Sequence, residues 1–299
     1  MLFDRLTLVA AIKASGGAEQ PHDQLDGLLA ILAVLEKTGR YGGLFATLAK
    51  VNDKSNFLAF LLEATFAFQF ETAGMPLAYE VRQFEGQTSS IDFRLDAATG
   101  DAVFFELRLL QQESETAQGI AEQLAKGPTY EVALDGEDEQ AAVARLQSTV
   151  LQKVQKKDGT PTKFLRTGAG VVNVVVVGVS DILLGTLDSW DCVLAMYGDP
   201  EVPEHCRRDV FGLFQDTKPE YPAEVQARAA SYKHIKGTLH GVLFVFCAKG
   251  GGVLDYQLQQ VMVWNRTLVN ADQAKTLMGQ IAAAVSARPV DLFGRYSGG

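Results

Sequence analysis

The side chains of this chain best placed by type and spacing to act together are Glu63, Asp92, Glu106 and Arg108. Asp92 stands in "SSIDFRLD", and Glu106 and Arg108 stand in "AVFFELRLL". Both runs read as strands, and the turn "DAATGD" joins them. Side chains alternate faces along a strand. Ser90, Asp92 and Arg94 therefore share one face, with Ile91, Phe93 and Leu95 on the other. In the next strand Phe104, Glu106 and Arg108 share a face, opposite Phe105, Leu107 and Leu109. Antiparallel pairing lays the two polar sets side by side where the register allows. Two carboxylates brought together offer the oxygen ligands that a hard divalent cation takes, Mg2+ or Mn2+. Such a cation polarises a phosphate and activates a water. Two plainer readings compete: Glu63 pairs with Arg108 as a buried ion pair, and Asp92 and Glu106 stand on a solvated sheet face.

Several elements must position these residues. "QLDGLLAILAVLEK" repeats apolar positions at helical spacing, with Gly39 as its stop. "DKSNFLAFLLEATFAFQFETAG" is apolar almost all round, which predicts a buried helix carrying Glu63 in its body. Ser55 or Asn56 can cap it and Gly74 can end it. Ala78 to Phe84, Ser90 to Leu95 and Val103 to Leu109 follow as three strands. Their links are too short for parallel crossovers, so they form an antiparallel meander. Residues 111–139 read as a partly helical polar insertion. "DEQAAVARLQSTVLQKVQKKDG" is a helix, and "GVVNVVVVGVSDIL" is apolar on both faces, hence a central strand. Thr186 to Lys236 is irregular and partly helical. Strands at "GTLHGVLFVFCAKGGG" and "YQLQQVMVWN" follow. A capped helix, "NADQAKTLMGQIAAAVSARP", comes last and is stopped by Pro289. The expected fold is α/β, a mixed sheet flanked by helices. A helical segment spans residues 1–50 and a core spans 51–185. An extension over 186–299 adds helices and strands to the same domain.

The order of helix, three-stranded meander, helix and strand resembles the core of the PD-(D/E)XK, or restriction-endonuclease-like, nuclease superfamily. Asp92 in "SID" matches the family's first acid, at the end of the second strand. "ELR" puts Glu106 at the second acidic position and Arg108 where the family has lysine. Glu63 matches the glutamate that many members carry in the first helix. Glu63 and Asp92 are 29 residues apart, and Asp92 and Glu106 are 14 apart. The resemblance spans Asn56 to Leu184. It implies an αβββαβ core and a magnesium- or manganese-dependent hydrolase, an endonuclease or phosphodiesterase acting on DNA. It also implies Asp92, Glu106 and Glu63 as metal ligands, with Arg108 orienting phosphate or the acids. Arg108 breaks the motif, because a guanidinium stays protonated and cannot serve as general base. The helix "STVLQKVQKK" offers replacement lysines, Lys153, Lys156 and Lys157, with Gln152 as a further polar candidate. Lys153 and Lys157 share a helical face at i, i+4 spacing.

Composition bounds these readings. The chain has 299 residues, 47 % of them hydrophobic, and a formal net charge of −9. An acidic chain has no overall positive field to draw in nucleic acid. A second reading therefore keeps the nuclease fold without its chemistry, as a scaffold or interaction protein in a nucleic-acid or defence complex whose protein partner supplies the basic surface. Cys192, Cys206 and Cys247 form no CxxC pair, which argues against a disulfide framework or zinc site. A signal peptide is disfavoured because Asp4 precedes the apolar run "LTLVAAI" and Lys13 soon follows it. No stretch reaches the length of a membrane span, so a cytoplasmic protein with no membrane contact is expected. G-x-S-x-G, H-E-x-x-H and G-x-x-x-x-G-K-[ST] are all absent. The glycines of "GAGVVNVVVVG" precede the strand rather than follow it, so the dinucleotide fingerprint fails. Asp188, Asp191, His205 and His240 lack metal-ligand spacing, and His240 belongs to a strand edge. Asp181 reads as a cap after the central strand, and Trp264–Asn265 as a turn.

Overall fold

The structure of the chain, a computed structural model, describes residues 4–15, 22–50, 54–87, 89–110, 122–123, 126, 139–156, 158–164, 167–179, 187–198, 210–247, 258–284 and 290–291. Four helices come first: α1 (Arg5–Ala14), α2 (His22–Thr38), α3 (Gly42–Leu48) and α4 (Lys54–Thr72). The meander β1 (Ala78–Val81), β2 (Ile91–Asp96) and β3 (Ala102–Leu109) follows, then α5 (Glu139–Val154) and β4 (Val171–Gly178). The rest comprises α6 (Ser189–Tyr197), α7 (Ala223–Ser231), α8 (Lys233–Thr238), β5 (Gly241–Cys247), β6 (Leu258–Trp264), α9 (Ala271–Ala284) and the two-residue β7 (Val290–Asp291).

The described strands lie in one mixed sheet, ordered β1 through β7 as in the sequence. The β1–β2, β2–β3 and β5–β6 pairs are antiparallel, while β3–β4, β4–β5 and β6–β7 are parallel. β4 is central, beside the strand of Glu106, and every one of its residues is buried. A Val-rich run is stable there because helices cover both sides of it. Phe93, Phe105, Leu107, Val174 and Val176 pack into one core with residues of α1 to α4 and α9. Phe104, Val175, Val177, Phe244 and Val263 pack into a second core with residues of α5, α6 and α8. Strands β5 to β7 extend the same sheet beyond β4.

Helix α4 is buried nearly all round because it lies between the sheet and α2. Two features fix its position. Phe66 stacks among Phe70, Phe93 and Phe105 at centroid distances of 4.8, 5.8 and 5.3 Å. At the far end of β4, a side chain at Gly178 would meet Leu62 Cδ2 at 2.7 Å. Glycine there lets α4 come close to the strand, so Glu63 is carried down to the sheet.

Several expectations are corrected in detail. Ser55 and Asn56 lie inside the first turn of α4, which begins at Lys54, so neither is its cap. Gly74, at φ 73°, does stand at the turn just past the helix. The first strand stops at Val81 rather than Phe84, and α5 stops at Val154. Lys157 lies outside the described residues, as do Asp181, His205, Pro289 and most of 111–138. Among the described residues, no helix is long and apolar enough to cross a membrane.

Candidate functional site

Asp92 occupies a gap in the sheet. The β2–β3 ladder runs from Asp96↔Ala102 to Phe93↔Phe105 and has no pair at Asp92. The β1–β2 ladder steps from Tyr79↔Phe93 to Val81↔Ile91, skipping the position opposite Asp92. The residue skipped on β1, Glu80, has φ 49°. A left-handed backbone at an ordinary residue is uncommon and strained, and such outliers gather at functional sites. Asp92 fills the gap with its side chain, whose Oδ2 accepts the Leu107 backbone N–H at 2.6 Å.

The strand also changes face here. Phe93 and Leu95 belong to the α4 core, but Ile91 belongs to the α5 core. Strict alternation would have kept all three together. Asp92 thus stands at a fork between the two faces, which is why acids from both can reach it. Glu63 comes from α4 on one side. Glu106, with Phe104 as its neighbour in alternation, belongs to the α5 side.

Glu106 is 1 % exposed and is held by two cations. Lys153, in the last turn of α5, donates to its Oε1 at 2.7 Å. Lys163 donates to its Oε2 at 3.1 Å and also to the Ser90 carbonyl. The solvated-face reading of Glu106 therefore fails. Burial works against the Lys153 ammonium, but Glu106 and then Asp92 outweigh it and hold the group above its ordinary range. Lys153 is a fixed cation and no base.

Glu63 is partly buried and accepts a hydrogen bond from Tyr79 Oη on Oε2 at 3.1 Å. Burial, then the Asp92 charge, pushes its carboxyl up to about 8, against the opposing pull of Tyr79 and Lys153. Burial followed by the Glu106 charge pushes Asp92 up to about 6, partly offset by Lys153 and the Leu107 N–H. Burial, then Glu63, raises the Tyr79 hydroxyl. These mutual effects join Glu63, Asp92, Glu106, Lys153 and Lys163 electrostatically.

Arg108 departs from expectation. It is exposed and pairs with none of the acids among the described residues; its effect is a like-charge repulsion on Lys153. The Glu63–Arg108 ion pair is thereby replaced by Glu63 with Tyr79, facing Lys153. Lys156 is exposed beyond the helix, and Gln152 bonds back to Ser148 at 2.9 Å. Lys163 and Tyr79 were missed by sequence reasoning. Lys163 lies in a non-repetitive connection with no periodicity to aim it, and Tyr79 lies on a strand whose alternation breaks, since Tyr79 packs against one core and Val81 against the other.

The remaining candidates have structural roles. Asp188 caps α6, accepting from Trp190 N and Asp191 N, and Asp191 returns the bond to Asp188 N. His240 Nδ1 accepts the buried Asn173 N–H at 3.1 Å, immediately before β5. Asn265 braces the turn after β6, with Nδ2 donating to the Lys236 and Leu239 carbonyls. Among the described residues, no three His, Cys, Asp or Glu side chains are gathered as a ready-made metal-ligand set. No family model matches the sequence, and no curated protein or solved structure is significantly similar to it.

Proposed function

We propose that the chain is a divalent-metal-dependent, nuclease-like protein that binds or cleaves DNA, with the acid cluster at the β2–β3 fork as its centre. The observation that carries this reading is the electrostatic influence of Asp92 on Glu63 and of Glu106 on Asp92, beside the ion pair of Glu106 with a lysine supplied from α5. The succession α4, β1, β2, β3, α5, β4 supports it, since it matches the order that the resemblance to restriction-endonuclease-like enzymes requires. The strained Glu80 beside the fork adds to it.

The donor chemistry fits a hard cation in kind, because all three acids offer carboxylate oxygens and two are raised by burial and their neighbours' charge. Asp92 and Glu63 would hold Mg2+ or Mn2+, joined by Glu106 once one of its lysines turns away. When bound, the cation would polarise the phosphate and lower the pKa of a water. Lys153 would stand in for the motif lysine as a positioning and charge-stabilising group. Tyr79 would orient Glu63, and exposed Arg108 would bind phosphate from the flank.

A second reading rests on Glu106. Both of its oxygens are already met by lysines, which occupy the place where a cation's charge would act. A degenerate nuclease fold, serving as a scaffold for a partner with a basic surface, would retain just this ion-paired cluster.

Calorimetry with Mn2+, run beside plasmid and single-strand cleavage assays, tests the two. The first reading expects saturable Mn2+ binding and cleavage that are both lost in Asp92→Ala and Glu106→Ala, while Arg108→Lys leaves cleavage intact or stronger. Cleavage surviving in the Asp92→Ala, Glu106→Ala double variant would sink it. Absent cleavage, with Mn2+ held no tighter than by a surface acid pair, would favour the scaffold.

A further inference from the structure

The two lysines on Glu106 are not equivalent. Among the described residues, Lys153 donates to Glu106 Oε1 alone, at 2.7 Å. Lys163 donates to Glu106 Oε2 at the longer distance of 3.1 Å and also to the Ser90 carbonyl. Its ammonium thus rests between a carboxylate oxygen and a backbone carbonyl oxygen. Those are the donor types that a hard divalent cation takes. Asp92 adjoins them: burial and then the Glu106 charge raise its carboxyl, and the Lys153 and Lys163 charges work against that rise.

The main chain delivers this ammonium without depending on it. Lys163 N and Thr162 N both donate to the Val154 carbonyl at the end of α5, at 3.2 and 2.9 Å. His234 Nε2, on α8, donates to the Lys163 carbonyl at 3.2 Å. Ser89 Oγ donates to the Thr162 carbonyl at 3.0 Å. Phe164 follows, fully buried, with its backbone at φ 53°. A left-handed phenylalanine is strained and persists only where its surroundings fix it. With the backbone pinned at these points, the ammonium can leave by side-chain torsions alone. The Lys163 side chain is 19 % exposed, so it already borders solvent.

We propose that Lys163 is an autoinhibitory cation. Its ammonium fills a divalent-metal seat made by Glu106 Oε2, the Ser90 carbonyl and Asp92, and it must withdraw before Mg2+ or Mn2+ binds there. Lys153 stays on Glu106 Oε1 throughout. Lys163 is the one that leaves, because its contact with Glu106 is the longer and its seat alone presents two oxygens of these types. This role rests on the reading of the acid cluster as a metal centre.

The test is calorimetric Mn2+ titration of the full chain as wild type, Lys163→Met, Lys163→Arg and Lys153→Met, with urea unfolding to establish that each is folded. Removing the competing ammonium should tighten Mn2+ about 10- to 100-fold in Lys163→Met, the worth of one hydrogen bond to a charged group. Lys163→Arg should stay within about threefold of wild type, because a guanidinium keeps the charge in place. Lys153→Met should gain less than Lys163→Met. In the wild type, Mg2+ should move the Lys163 ε-methylene NMR resonance toward that of a solvated lysine, saturating together with metal binding. That resonance is assigned by its loss in Lys163→Arg. Because it uses the unsubstituted chain, the NMR result stands even where Lys163→Met fails to fold. Binding measurable only in Lys163→Met would be the strongest form of the expected result. Wild-type Mn2+ binding with no gain in Lys163→Met, an equal gain in Lys153→Met, or a Lys163 resonance unmoved at metal saturation would overturn the autoinhibitory role and leave the metal centre standing. No Mn2+ binding in any of the four proteins would overturn both.

Discussion

Replacing Glu63 by glutamine should stabilise the protein, and by an amount that grows with pH. An ordinary glutamate carboxyl titrates near 4.5, whereas in the folded chain burial and the Asp92 charge push Glu63 to about 8. Between those values the native state holds a proton that the unfolded chain releases. Stability then falls as pH rises, by up to about 1.4 kcal/mol per pH unit. Below the unfolded value the group is protonated in both states and contributes no difference. Above about 8 the loss is complete. Integrated to pH 7, the native state is disfavoured by about 3 kcal/mol on this one group. Glutamine resembles the protonated side chain and still accepts from Tyr79 Oη. The gain in Glu63→Gln should therefore be near zero at pH 4.5, about 2–3 kcal/mol at pH 7 and larger at pH 8.5. In a chain of this size the pH 7 gain corresponds to a rise of about 3–5 °C in Tm. Thermal and urea unfolding of both proteins at the three pH values measures it. A gain independent of pH, or a loss at pH 8.5, would refute the reasoning, because it would mean that Lys153 holds Glu63 as a carboxylate.

Glu106→Gln should act in the opposite sense. It removes the buried partner of Lys153 and Lys163 and should cost about 3–5 kcal/mol in urea unfolding, with partial rescue when Lys163→Met is added. Mn2+ binding should tighten from pH 6 to pH 8 and release close to one proton near pH 7, because the cation must displace the Glu63 proton. Calorimetry in buffers of different ionisation enthalpy counts that proton, and no release would place the metal away from Glu63. Phe66→Ala should cost about 3–5 kcal/mol. It should also loosen the seat of α4, so that the Glu63 titration followed by NMR moves back toward the ordinary carboxylate range; an unchanged titration would show that the aromatic cluster does not position Glu63.

Much of the frame was legible in the chain itself. The all-round apolar body of α4 and the two-sided run of β4 can be satisfied only by burial, so their places follow from their composition. Short turns force β1 to β3 into a meander. The alternation of "FFELRLL" correctly puts Glu106 on the face opposite Leu107 and Leu109. Tertiary structure decided how the acids meet. Period-two alternation assumes an unbroken strand, and β2 is broken at Asp92, where the pairing lapses on both sides, the face turns over between Ile91 and Phe93, and a side chain takes the Leu107 N–H. No local pattern in "SSIDF" announces that fork. It alone lets Glu63, carried by the helix on one side of the sheet, feel Glu106 on the other. The cation also depended on three-dimensional reach. Arg108 is the nearest base in sequence, but its strand leaves it exposed, while Lys153 and Lys163, 47 and 57 residues away from Glu106, close on that carboxylate because α5 and the connection after it fold back over the β3 face.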